Sequence, residues 1–171
     1  TFGIFHSIDG GYVWERLTQK ACFDLAFHPA NPDIIYASGV GLWRSGDGGK
    51  SFQELEFPFQ NNQAIFIDVS NAAPDNLYLL QSDGKRMDGL YISRNEGADI
   101  QLLYNGDMNL LGYDQLGRDA GGQAPRNMAI AVSDVDPNII FVAGINVWRS
   151  LDAGISFKIV SYYNYGHSVA D

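Results

Sequence analysis

One short pattern, Ser-x-Asp-x-Gly-x-(small or β-branched)-aromatic, is approached four times in this chain and constrains its fold more than anything else in the sequence. The fullest copy is Ser45-Gly46-Asp47-Gly48-Gly49-Lys50-Ser51-Phe52, and Ser150-Leu151-Asp152-Ala153-Gly154-Ile155-Ser156-Phe157 is close to it. Ser7-Ile8-Asp9-Gly10-Gly11-Tyr12-Val13-Trp14 differs in carrying Val13 in place of the hydroxyl residue. Ser93-Arg94-Asn95-Glu96-Gly97-Ala98-Asp99-Ile100 is a degenerate fourth copy. Apolar residues precede each copy (Ile4-Phe5, Leu42-Trp43, Leu90-Tyr91-Ile92, Val147-Trp148), and a second extended stretch follows the fuller ones. Each copy therefore reads as the turn of a β-hairpin. The short carboxylate accepts backbone N–H groups just ahead of it, and the glycine takes a backbone angle that a Cβ resists. The closing aromatic is expected to pack on a neighbouring layer. Asp9, Asp47 and Asp152 are residue types that also serve as catalytic carboxylates or calcium ligands. Recurrence with every unit marks scaffold, since an active site occurs once.

A second shared stretch lies upstream of the turns. Cys22 to Phe27 leads through His28-Pro29 and Asn31-Pro32-Asp33 to Ile34-Ile35-Tyr36-Ala37. Met128 to Ser133 leads through Asp136-Pro137-Asn138 to Ile139-Ile140-Phe141-Val142, and Ala64 to Ser70 leads through Pro74-Asp75-Asn76 to Leu77-Tyr78-Leu79-Leu80. Each unit thus holds four strands, the plan of a propeller blade. The serines at 7, 45, 93 and 150 lie 38, 48 and 57 residues apart, bracketing the roughly 40 to 50 residues such blades take. The predicted class is all-β, a partial β-propeller of four-stranded antiparallel blades with about three and a half blades present. The expected divisions are 1–20 (last hairpin of a blade), 21–58 and 62–104 (blades), 105–126 (a long loop), 127–163 (a blade) and 164–171 (the start of the next). So few blades close no ring, which predicts that the remaining blades come from the same protein or from another chain.

The net charge of −9 argues against nucleic acid and anionic membranes as partners. No stretch approaches the length of a membrane span, so no membrane insertion is expected. Cys22 is the single cysteine, so the chain forms no internal disulfide, and its apolar setting reads as a small buried hydrophobe.

The turn resembles the Asp-box, or bacterial-neuraminidase (BNR) repeat. The longer unit, with Asn31-Pro32-Asp33-Ile34-Ile35-Tyr36-Ala37 feeding Gly41-Leu42-Trp43-Arg44-Ser45, looks like sortilin-type and xyloglucanase-type propellers. Gly121-Gly122-Gln123, Met128-Ala129-Ile130-Ala131-Val132 and Gly144-Ile145-Asn146-Val147-Trp148-Arg149-Ser150 resemble the propellers of large secreted Bacteroidetes-type surface proteins exported by type IX secretion. The resemblance implies structural roles for Ser7, Asp9, Gly11 and Trp14; Ser45, Asp47, Gly49 and Phe52; Ser93, Asn95 and Gly97; and Ser150, Asp152, Gly154 and Phe157. It also implies a secreted or cell-surface location on the bacterial outer surface.

This repeat serves hydrolases, receptors and adhesins alike. The expectation is a non-catalytic module for adhesion, recognition or assembly, with a protein or glycan ligand. The alternatives are a fragment of a glycoside hydrolase, xyloglucanase-like or sialidase-like, and a sortilin-like receptor domain. For the hydrolase reading, Asp119 in Arg118-Asp119-Ala120-Gly121-Gly122 is the candidate catalytic acid, because such enzymes set two carboxylates across a cleft. Arg44, Arg94 and Arg149 each precede a turn serine and read as one repeated position. Arg86, Arg118 and Arg126 lie in loops where a ligand could meet them. Tyr162, Tyr163 and Tyr165 are the candidate ligand-binding residues, since tyrosines stack on sugars and fit protein partners. No metal site is expected, as His6, His28 and His167 lack ligand spacing. No cofactor motif is present.

Overall fold

The computed structural model describes residues 2–56, 64–105 and 107–163. Tyr165 and the expected start of a further blade at 164–171 lie outside the described residues.

Among the described residues, fourteen strands build four antiparallel sheets. The first is the hairpin of β1 (Phe5–His6) and β2 (Glu15–Arg16). The second sheet comprises β3 (Cys22–Phe27), β4 (Ile35–Gly39), β5 (Leu42–Ser45) and β6 (Gln53–Glu54). The third has β7 (Ala64–Ser70), β8 (Ala73–Ser82), β9 (Met87–Ser93) and β10 (Gln101–Tyr104). The fourth has β11 (Ala129–Val132), β12 (Ile140–Ala143), β13 (Val147–Ser150) and β14 (Lys158–Ser161). Every four-stranded sheet is a plain meander in which strands adjacent in sequence pair. No α-helix occurs among the described residues.

Strand β8 reads as a continuous apolar run, Leu77-Tyr78-Leu79-Leu80, because the third sheet is covered on both faces. Successive side chains of a strand point to opposite faces, so both sets must be apolar to be buried. The core is accordingly split into layers between sheets. Ile4, Ala37 and Trp43 join the hairpin to the second sheet, with Leu17 and Phe52 packed against them. Tyr36 and Leu42 meet Ile65, Ile67, Leu77, Leu79 and Tyr91 between the second and third sheets. Tyr78, Leu80, Leu90 and Ile92 meet Val132, Ile140, Val142 and Trp148 between the third and fourth.

Carboxylates and hydroxyls also bond from one sheet to the next. Asp24 Oδ2 accepts the Ile67 N–H at 3.0 Å, and Asp68 Oδ2 accepts the Val132 N–H at 2.6 Å. Ser38 Oγ donates to the Ile65 carbonyl and Ser70 Oγ to the Ser133 carbonyl. These side chains occupy inner-edge backbone groups that would otherwise be open to pairing.

Candidate functional site

The repeated turns are closed on themselves. In each complete copy the serine hydroxyl donates to the box carboxylate, at 2.7 Å for Ser7–Asp9, 2.8 Å for Ser45–Asp47 and 2.7 Å for Ser150–Asp152. The same hydroxyl accepts the N–H of Gly11, Gly49 or Gly154. The carboxylate then accepts the N–H four residues on, from Val13, Ser51 or Ser156. Ser51 and Ser156 add hydroxyl bonds to Asp47 and Asp152 at 2.6 and 2.5 Å. Hydrogen bonds to the charged form lower a carboxyl pKa. All three acids therefore lie below the ordinary aspartate range, Asp152 at about 2. The fourth copy keeps the scheme with Asn95, whose Oδ1 accepts from Ser93 Oγ and from the Asp99 N–H.

The closing aromatics divide. Phe157 is buried edge-on against Tyr104 at 5.3 Å, and Phe52 packs into the hairpin layer. Trp14 departs from the expected packing. It is 60% exposed and its indole N–H bonds back to the Gly11 carbonyl. The other closing residues pack toward the preceding sheet, and no described sheet lies on that side of the hairpin.

The turns join third to fourth strands, so they share one end of the sheets. Fourth strands run back to the opposite end, where the connection from β10 to β11 lies. This long loop is held by two buried amides. Asn109 accepts the N–H of Met87 and Leu111 and donates to the carbonyls of Asp119 and Gly121. Asn146 donates to the carbonyls of Gly112 and Tyr113 and accepts the Tyr163 N–H. Gly122 is required by close approach, since a Cβ there would lie 2.3 Å from the Lys85 carbonyl oxygen. Asp119 is drawn into the same scaffold. Its Oδ2 accepts the Tyr113 N–H at 2.7 Å, and its buried Oδ1 lies against Gly112, where a Cβ would approach it to 2.0 Å.

The loop brings Tyr113 to Tyr163, ring edge to ring face at 6.2 Å, with the two residues 43% and 45% exposed. Gln123 donates to the Tyr113 hydroxyl and accepts from Asn127. Next to Asn127, Arg126 lines a concavity of about 540 Å³ whose walls are the first strands of three sheets, including Asp24, Leu25, Phe27, Phe66, Asp68 and Met128. Burial raises the Asp68 carboxyl, and the Val132 N–H opposes that rise. Tyr163, a sequence candidate, thus gains a partner that sequence reasoning missed, Tyr113, which Gln123 and in turn Asn127 hold from its hydroxyl side. Only the amide-rich composition of 105–127 hinted at them.

The structure also gathers residues that spacing kept apart. His28 Nε2, Asp75 and Glu96 lie within 4.8 Å of one another at the junction of the second and third sheets. His28 Nδ1 accepts two backbone N–H groups, from Ala30 at 3.1 Å and Asn31 at 3.0 Å. The proton of the neutral ring therefore sits on Nε2, which faces the carboxylates as a donor. A cation would need a lone pair there, so this donor set does not suit a metal. Asp83, in the turn before β9, bonds the Lys85 and Arg86 N–H groups with Oδ1.

No family model matches this chain, and no curated protein matches it. Among solved structures, an ancestral GH74 enzyme superposes on 92% of this chain with a TM-score of 0.67 and 16% identity, covering 21% of its own length. The GH74 xyloglucanase from Xanthomonas campestris matches 85% of this chain and 24% of its own, with a TM-score of 0.57 and 18% identity. A chain of the nidogen/laminin complex matches 90% of this one and 54% of its own, with a TM-score of 0.60 and 13% identity. The fold is a partial β-propeller. The chain spans between a fifth and a quarter of the length of these GH74 structures and about half of the chain in the nidogen/laminin complex. At such identities the propeller likeness carries architecture, and chemistry must be argued from the residues present.

Proposed function

We propose that this chain is a non-catalytic propeller module of a larger secreted or cell-surface bacterial protein, acting in adhesion, recognition or assembly. The observation that carries the reading is the state of Asp119. A general acid or base must reach substrate, whereas Asp119 bonds the Tyr113 N–H with one oxygen and buries the other against Gly112. Asp24 and Asp68, the carboxylates of the concavity, likewise bond the backbone of the next sheet. The repeated turns use their aspartates internally. Among the described residues, the exposed Tyr113–Tyr163 pair with Gln123 and Asn127, beside the concavity reached by Arg126, is available to meet a ligand. Exposed tyrosine rings with amides at their edge suit a glycan or an extended protein segment. The nidogen/laminin structure is a propeller-containing protein complex and supports a protein partner of this kind. The surface location and type IX export are supported by the resemblance around Gly121-Gly122-Gln123 and Gly144 to Ser150.

The test pairs turnover with capture. The intact parent protein is incubated with a polysaccharide panel and assayed for reducing ends, and binding to the same panel and to surface proteins is measured in parallel. Retention without turnover, weakened by Tyr113→Ala, is expected. Release of reducing ends that is lost in Asp119→Asn would overturn the reading in favour of a hydrolase.

A further inference from the structure

In the second sheet, Arg44 lies opposite Gln53 on the neighbouring strand and, with Gly46, Asp47 and Ser51, lines a shallow pocket beside the turn. The third sheet presents Glu96 to it. Arg44 Nη2 donates to Glu96 Oε2 at 2.6 Å. Glu96 stands at the fourth position of its turn with φ +57°, a left-handed backbone. The other turns place Gly10, Gly48 and Ala153 there, also at positive φ. Ala153 shows that the turn itself sets this backbone, and from it the Glu96 side chain reaches across to Arg44.

The fourth sheet repeats the pocket residue for residue. Arg149, Leu151, Asp152, Ser156 and Lys158 stand where Arg44, Gly46, Asp47, Ser51 and Gln53 stand in the second. One exchange alters its charge. Lys158 replaces the neutral glutamine, and it lies directly opposite Arg149 across β13 and β14. Like charges opposed on a sheet repel. Asp152 lines the same pocket as an anion held by Ser150 and Ser156, so two cations face one carboxylate and one positive charge is left in excess. Neither cation has an ion-pair partner among the described residues. Arg94 supplies the contrast. The corresponding position of the following turn is Ala153, and Arg94 bonds Gln101 of its own sheet instead.

We propose that Arg149 and Lys158 form a carboxylate-binding site, and that its occupant is a glutamate carried at the left-handed position of a turn from an adjoining β-sheet. Glu96 shows the geometry of delivery, and the second cation makes this site more demanding of an acid than its counterpart. The partner is thus a sheet-bearing protein segment with an acidic turn tip. The choice of a sheet as occupant rests on the propeller-module reading.

The whole chain, isotope-labelled, is titrated with a cyclised peptide of its own third turn, Ser93 to Asp99, and with the same peptide carrying Glu96→Gln. The side-chain resonances of Arg149 and Lys158 are followed by NMR. Saturable shifts of both with the glutamate peptide are expected. Affinity should fall at least about tenfold with the glutamine peptide, or with Arg149→Gln or Lys158→Gln in the chain, since bonds to charged groups contribute that much. Backbone spectra of the two variants verify that they fold. Equal binding of the two peptides, or no shift at Arg149 across a millimolar titration, would overturn the proposal. So would a response to glucuronate without a response to the peptide, which would mark a sugar-acid site. These readouts are independent of turnover, so a hydrolase parent would sink the proposed function and leave this site standing.

Discussion

Arg44 and Glu96 join two sheets through a 2.6 Å ion pair, although they are 52 residues apart in sequence. Glu96 adopts a left-handed backbone at the position where Gly48 stands in the best copy of the turn. A residue with a Cβ pays about 1 kcal/mol or more for that conformation. A partly exposed pair returns about 0.5–1 kcal/mol. The two effects nearly cancel, so stability alone does not account for the glutamate. Within the chain the pair gives the second and third sheets a specific polar contact beside their shared apolar layer.

A double-mutant cycle of Arg44→Ala and Glu96→Ala in urea denaturation should show a coupling of about 0.5–1 kcal/mol. Glu96→Gly, which removes the strain together with the charge, should change stability by less than about 1 kcal/mol. A loss of several kcal/mol in that variant would show that Glu96 does more than make this contact.

Acid should loosen the turns. The folded pKa values of Asp9, Asp47 and Asp152 are depressed by hydrogen bonds, so these groups contribute stability above the unfolded aspartate pKa. For Asp152 that contribution is lost as pH falls from about 4 toward its folded value of about 2. Urea midpoints measured across this range should fall, and Asp47→Asn with Asp152→Asn should flatten the profile.

Asp68 has the opposite sign. Burial raises its folded pKa, so its contribution is most favourable below the unfolded pKa and declines as pH rises through the folded one. Asp68→Asn keeps an oxygen for the Val132 N–H and removes the half-buried charge. It should match or exceed wild-type stability at pH 7, and that advantage should shrink in acid. Clear destabilisation by Asp68→Asn at pH 7 would count against this account.

Asn109→Ala should cost about 3 kcal/mol or more, because it leaves two N–H groups and two carbonyls of the long loop without their partner. Gly122→Ala drives a Cβ into the Lys85 carbonyl and should loosen the same loop. Hydrogen exchange across 107–123 is the measure. Faster exchange there with unchanged protection in β8 is the expected pattern.

How far the residues announced this architecture depends on range. Ser45, Asp47 and Gly49 interact within five positions, so their turn is written in local spacing. Sheet order followed too, because each apolar run pairs with the next in sequence. Trp14 misled the reading, since the repeat predicts a packed aromatic whereas its ring stands exposed with the indole N–H on the Gly11 carbonyl. His28, Asp75 and Glu96 went unseen because a contact across 47 residues leaves no periodic trace. Tyr113 was hidden for a different reason. It lies between Gly112 and Gly117 in a stretch without strand or helix period, and its place is set by Asp119 and Gln123 within the loop together with Asn146 and Tyr163 far along the chain.

The apolar interior is laid down as separate strata, each shared by two adjoining sheets and by no others. Cohesion is therefore a nearest-neighbour property, as in a stack of plates. The stratum under the hairpin is the thinnest, with Ile4, Ala37 and Trp43 as its buried members. Heating should strip the molecule from that end inward, so that Trp14 and Trp43 fluorescence changes at a lower temperature than the environment of Trp148.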